Sequence, residues 1–128
     1  MQNNDQSEID KRIKSFRYAF EGAWYVLRTQ KNAWIHAAFM IAVVIMGLWL
    51  KLPRYDWVLL VIIMAVVWIT EFFNTALEAI VDMTMPKPHP CAKIAKDVGA
   101  GAVLVGAIAA VLVGLMILGP PLWSVISG

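Results

Sequence analysis

The chain has 128 residues, of which 60% are hydrophobic and 16% charged, and its formal net charge is +2. That size bounds one domain, and the composition belongs to a membrane protein rather than a soluble one. The small net charge and the lack of an arginine-rich or aromatic-interleaved patch exclude nucleic-acid binding. The single Cys91 excludes an internal disulfide and a cysteine-based zinc site.

The opening run MQNNDQSEID is polar, so residues 1–10 are expected to fray. No cleavable signal peptide or lipidation motif is expected there, which leaves insertion to the internal apolar segments. From 11 to 31, Ile13, Phe16, Phe20, Trp24 and Leu27 recur at helical spacing, with Lys14, Arg17, Glu21 and Arg28 on or near the opposite face. A basic, aromatic-rich amphipathic helix of this kind lies in the membrane interface.

A first span is expected over 33–50, between Trp34 and Trp49, which sit where interface aromatics belong. A polar turn containing Pro53 follows. The second span begins at Trp57 and runs to Val81, a helix of about 37 Å against a hydrocarbon core of about 30 Å. Its last turns therefore project towards water. The run MTMPKPHP breaks the chain, and CAKIAKD leads into a third span at 98–118, which Pro120 and Pro121 are expected to end. Ala102, Gly106, Ala110 and Gly114 are spaced four apart in that span and form a ridge for close helix packing. The expected architecture is all-α: one amphipathic surface helix and three membrane-spanning helices. Basic residues crowd residues 1–31 and the second loop, so the positive-inside bias places both on the cytoplasmic side.

The second span carries the chemistry. Glu71, Asn74, Glu78 and Asp82 fall at about 0°, 300°, 340° and 20° around a helix, one narrow stripe. Ionisable groups inside a membrane are costly, so they face a bundle interior and mark a functional site. With Lys96 and Asp97 they offer oxygen ligands for a hard cation, an ammonium for phosphate oxygens and a desolvated carboxylate to act as base. These are the parts of phosphoryl transfer. No Walker motif, protein-kinase loop or HExxH is present. His36 and His89 stand alone in the sequence and are read as structural or solvated.

The composite ExxNxAxExxVD (Glu71–Asp82), followed by AKD (Ala95–Asp97) and a small-residue span, resembles the prokaryotic diacylglycerol kinase family, which includes undecaprenol kinases. The resemblance covers about Ile13 to Leu118. It implies a homotrimer of three-span subunits in the bacterial cytoplasmic membrane. Composite active sites would face the cytoplasm, with ATP and Mg²⁺ used to phosphorylate a lipid hydroxyl. It implies Glu71 as catalytic base, Glu78 as metal ligand, and Asn74, Asp82, Lys96 and Asp97 around the nucleotide phosphates and metal. Lys14 belongs to the surface helix that helps cover the nucleotide.

One position departs from the family pattern. Relatives place a second metal-binding glutamate where TQKNAWIH has Gln30, and a neutral amide oxygen is a weaker Mg²⁺ ligand. Glu21 or water would compensate, or metal affinity would be lower. The run His89–Asp97 resembles the undecaprenol-kinase branch more than the diacylglycerol branch. An alternative from another class is a small ion or proton-coupled transporter using Glu71 and Glu78. Neither the first nor the third span carries an acid in its apolar interior to continue such a path.

Overall fold

The computed structural model describes residues 2–128, with side chains described from Gln6 onward. Four helices account for it: α1 (Gln2–Thr29), α2 (Lys31–Trp49), α3 (Arg54–Thr84) and α4 (Pro90–Ser127). The last three are long and apolar enough to cross a membrane, and the protein is an all-helical integral membrane protein. In their most apolar windows only 11%, 22% and 17% of residues are buried within the chain. The remaining apolar surface therefore needs lipid or another protein chain against it.

Helix α1 is amphipathic but hardly packs. Phe16, Phe20 and Trp24 are exposed, and Val26 is its buried contact with the rest of the chain. Its start corrects an expectation: residues 2–10 continue the helix instead of fraying. Lys11 pairs with Glu8 at 2.7 Å and Arg17 with Glu21 at 3.0 Å, spacings that support a solvated helix. Gln30, at φ −100° and ψ 115°, is the single extended residue between α1 and α2. Its backbone N–H donates to Val26 O and its carbonyl accepts from Ala33 N, so the break leaves neither group unpaired.

The turn between α2 and α3 is tightly closed. Leu52 N donates to Gly47 O and Lys51 N to Leu48 O, the paired bonds of a Schellman cap. Lys51 takes φ 53° there, a left-handed conformation usually left to glycine. A Cβ on Gly47 would lie 2.9 Å from the Trp57 ring, so only glycine lets α2 and the start of α3 approach this closely. Leu52, Leu60 and Leu118 form the buried cluster behind this turn, with Val43, Met46 and Trp57 packed on it.

Helices α3 and α4 make the principal interface. Gly99, Val103 and Gly106 are buried on α4, and the Cβ position of Gly106 is 3.2 Å from Thr70 Oγ1. The small-residue ridge expected from sequence is only partly used. Gly106 packs on α3, whereas Ala102 is exposed and the Cβ position of Gly114 meets open space. A second correction concerns the end of α4, which passes through Pro120 and Pro121 to Ser127. Proline removes donors but its fixed φ is helical, and the Ser124 and Ser127 hydroxyls donate to Pro121 O and Trp123 O beyond it. At 31 and 38 residues, α3 and α4 are about 46 and 57 Å long and outreach a hydrocarbon core of about 30 Å.

Candidate functional site

The polar stripe of α3 faces inward at Glu71 and Asn74, is half-buried at Glu78 and reaches solvent at Asp82. Glu71, Asn74 and Thr75 are the buried polar side chains of the described chain, and Glu71 is 1% exposed. Helical periodicity explains this: the same side of α3 that buries Leu60 and Val67 carries Glu71 and Asn74 onward. The Thr75 hydroxyl donates to the Glu71 backbone carbonyl at 2.9 Å. The Glu71 carboxylate itself accepts no hydrogen bond at either oxygen. A buried carboxylate without partners is costly to maintain, which sets this group apart from a structural one.

Its nearest charged-group neighbour is His36, which the sequence reading left as structural or solvated. His36 Nε2 lies 3.6 Å from Glu71 Oε2, and its side chain is 14% exposed. Gln30, Ala33 and His36 recur every three residues, and Ala33 is fully buried, so the start of α2 presents this face to α3. His89 does keep a structural role, since its Nδ1 accepts from Cys91 N and caps α4.

Two turns along α3, Glu78 is held by amides. Asn74 Nδ2 donates to Glu78 Oε1 at 3.1 Å, and Gln30 Nε2 donates to Glu78 Oε2 at 3.2 Å. Gln30 thus reaches Glu78 from the α1–α2 break, across 48 residues of chain. Among the described residues no lysine or arginine pairs with Glu78, so its charge is met only by neutral groups. Asn74 Oδ1 is buried without a hydrogen-bond partner beside Gly99, where a Cβ would lie 2.4 Å from it. The absence of a side chain at Gly99 is what gives the amide its place.

Nearer the end of α3, Lys96 of α4 pairs with Asp82, closing the proline loop with a charge contact. Lys93 pairs with Asp97 one turn apart on α4. Both pairs are exposed, and Lys93, counted from sequence only among the basic residues of the second loop, has Asp97 as its partner. Lys14 lies exposed on α1, and no ion pair joins it to the others among the described residues. The chain therefore brings together Gln30, Asn74 and Glu78, then His36 and Glu71, then Asp82 and Lys96, and leaves Lys14 apart. Glu21 pairs with Arg17 on α1, away from Gln30's contact with Glu78. No group of three His, Cys, Asp or Glu side chains converges on one point among the described residues.

The chain is similar to known proteins over most of its length. The sequence profile described as prokaryotic diacylglycerol kinase matches residues 17–118. An undecaprenol kinase of Bacillus subtilis is 38% identical over 117 residues, covering 91% of this chain and 95% of that protein. A diacylglycerol kinase of Synechocystis is 46% identical over 113 residues, covering 88% of this chain and 65% of that protein, so this chain spans about two thirds of its length. A diacylglycerol kinase of Escherichia coli K12 is 31% identical over 128 residues, covering 94% of this chain and 96% of that protein. With the buried acidic stripe, the three membrane helices and these matches taken together, the chain belongs to the prokaryotic diacylglycerol kinase family of membrane lipid kinases.

Proposed function

We propose that this kinase transfers the γ-phosphate of ATP, with Mg²⁺, to the primary hydroxyl of a membrane lipid alcohol at the cytoplasmic face of the bacterial inner membrane. The observation that carries the reading is Glu71: buried, without hydrogen bonds, and on the same helix face as the amide-held Glu78. In the proposed step a Glu71 oxygen takes the proton of the lipid hydroxyl. The lipid oxygen forms a bond to the γ-phosphorus, and the bond from that phosphorus to the bridging oxygen breaks. ADP and the lipid phosphate leave, with the proton held on Glu71.

The residues around Glu78 fit a hard divalent cation. The Glu78 carboxylate is partly buried with only neutral partners. The Gln30 and Asn74 amides could turn their oxygens towards a cation without moving the backbone. Mg²⁺ is often held by one or two carboxylates with substrate phosphates and waters completing its shell, so three converging acids are not required. When bound, Mg²⁺ would neutralise phosphate charge and bridge phosphate oxygens. Asp82, Lys96 and Asp97 are assigned to the nucleotide phosphates, their present pairings being exposed and exchangeable. Lys14 is assigned to the part of α1 that covers the nucleotide.

The membrane-embedded parts of the single domain are assigned to 33–50, 57–81 and 98–118, and the assembly to a homotrimer. The exposed apolar faces of α2, α3 and α4 support an assembled form. Undecaprenol is placed ahead of diacylglycerol because of the His89–Asp97 run. The test is phosphate transfer from MgATP to each lipid in mixed micelles, with Glu71→Gln as the blank. Transfer that vanishes in the blank supports a kinase with Glu71 as base, and the ratio of the two rates selects the lipid. Equal transfer by wild type and Glu71→Gln would overturn the assignment.

A further inference from the structure

We propose that His36 is a positioning residue for Glu71: its Nε2–H holds Glu71 Oε2, so that Oε1 is the oxygen that receives the lipid proton. This rests on the reading of Glu71 as base and goes beyond it, because it names which oxygen reacts and what fixes it.

Three observations support the assignment. Glu71 is 1% exposed, and neither of its carboxylate oxygens accepts a hydrogen bond. His36 Nε2 is likewise buried without a hydrogen-bond partner. These two unsatisfied groups face each other at 3.6 Å across the α2–α3 contact. Two polar groups that each lack a partner, in a membrane interior, gain most by bonding to each other. A separation of 3.6 Å is too long for a hydrogen bond and needs a shortening of about half an ångström to become one. Catalytic hydrogen bonds commonly tighten in this way when substrate is bound.

The local construction allows that movement. His36 follows Gln30 by six residues on α2, and Gln30 is the extended break through which α1 and α2 meet. Gln30 itself is tied to Glu78 on the same α3 face. A small shift of the start of α2 towards α3 therefore brings His36 onto Glu71, with Gln30 already bonded to Glu78. The titratable groups that act on Glu71 are His36 from α2 and, along α3, Glu78; α4 packs on this part of α3 through Gly99, against Asn74, and Gly106, against Thr70. With one lone pair of Oε2 engaged by imidazole, Oε1 is the oxygen with both lone pairs free and the more basic of the two. The proton moves from the lipid oxygen to Oε1, the lipid oxygen bonds to the γ-phosphorus, and ADP leaves. His36 neither gains nor loses a proton in this step.

The test uses the full chain in lipid bicelles and compares His36→Ala with His36→Gln. Glutamine places an N–H donor at about the reach of Nε2, whereas alanine does not. His36→Ala is expected to lower kcat about ten- to hundred-fold, the scale of a misplaced reacting group, with KM for ATP within about two-fold of wild type. His36→Gln is expected to recover most of the lost kcat. A folded His36→Ala protein with wild-type kcat would overturn the proposal, as would equal defects in the two variants. If alanine prevents folding, the imidazole ¹⁵N signals of the wild type decide. Protonation at Nε2 is expected, and a bare Nε2 would overturn the assignment. Glu71→Gln separates the two claims. Its retained turnover would remove the base itself, whereas an inactive Glu71→Gln beside a fully active His36→Ala would remove only the role of His36.

Discussion

Replacing Gln30 by glutamate should change stability in opposite senses with and without Mg²⁺. In the present structure Gln30 Nε2 donates to Glu78 Oε2 at 3.2 Å. Gln30→Glu removes that donor and sets a second carboxylate in its place. The lost bond to a charged acceptor is worth about 1.5–3 kcal/mol. Two ionised carboxylates at that separation would repel by up to about 5 kcal/mol at an effective dielectric of about 20, a ceiling that side-chain rotation or protonation reduces. Without divalent cation, the variant should therefore unfold at a lower temperature than wild type. With Mg²⁺ at the proposed site, the two carboxylates would share one cation, and repulsion would give way to ligation. Each 1.4 kcal/mol of differential binding is about tenfold in affinity, so the Mg²⁺ concentration for half-maximal rate should fall about tenfold or more. The thermal shift produced by Mg²⁺ should be larger in the variant by linkage. The assays are thermal unfolding in EDTA and in saturating Mg²⁺, and initial rate against Mg²⁺ at fixed ATP. A folded variant with an unchanged or raised Mg²⁺ requirement would refute the placement of the cation at Glu78.

Glu71→Gln should lower kcat by a factor of about 10² to 10⁴ while the protein elutes and unfolds as wild type; collapse of the fold with normal specific activity in the surviving protein would contradict the base assignment. Gly99→Ala puts a Cβ 2.4 Å from Asn74 Oδ1 and 3.1 Å from Leu77 Cδ2, so it should cost about 1–3 kcal/mol of stability. It should also raise the Mg²⁺ requirement through Asn74's bond to Glu78; denaturation in detergent and the Mg²⁺ titration read the two effects. Lys51→Gly relieves a left-handed lysine and should stabilise the chain by about 1 kcal/mol without altering turnover, as checked by the thermal midpoint.

Most of the architecture was legible because membrane insertion imposes long apolar runs, and α2, α3 and α4 supply them. The inward stripe was legible because a helical period leaves little freedom once Leu60 and Val67 are buried. What escaped was fixed by contacts between helices or by competition at their ends. Periodicity within α2 cannot reveal that His36 meets Glu71, because the partner lies 35 positions away on another helix. The ridge in α4 was read by spacing alone, yet Gly99 and Gly106 are the glycines that receive α3 side chains. Pro120 and Pro121 looked like a terminus because proline removes donors, but its dihedral remains helical and α4 continues. Gln30 was recognised as a departure from a family pattern, and its actual neighbour, Glu78, required three dimensions.

The closed turn at Leu50–Pro53 bears on the chain's fit to the membrane. Its N–H groups are engaged within the turn, Lys51 with Leu48 O and Leu52 with Gly47 O, and Leu52 is tucked against the helices. A turn that satisfies its own N–H groups carries a smaller dehydration penalty in lipid than an open one. Helices α2 and α3 are thereby suited to sit in the bilayer as a hairpin whose turn holds the charges of Lys51 and Arg54.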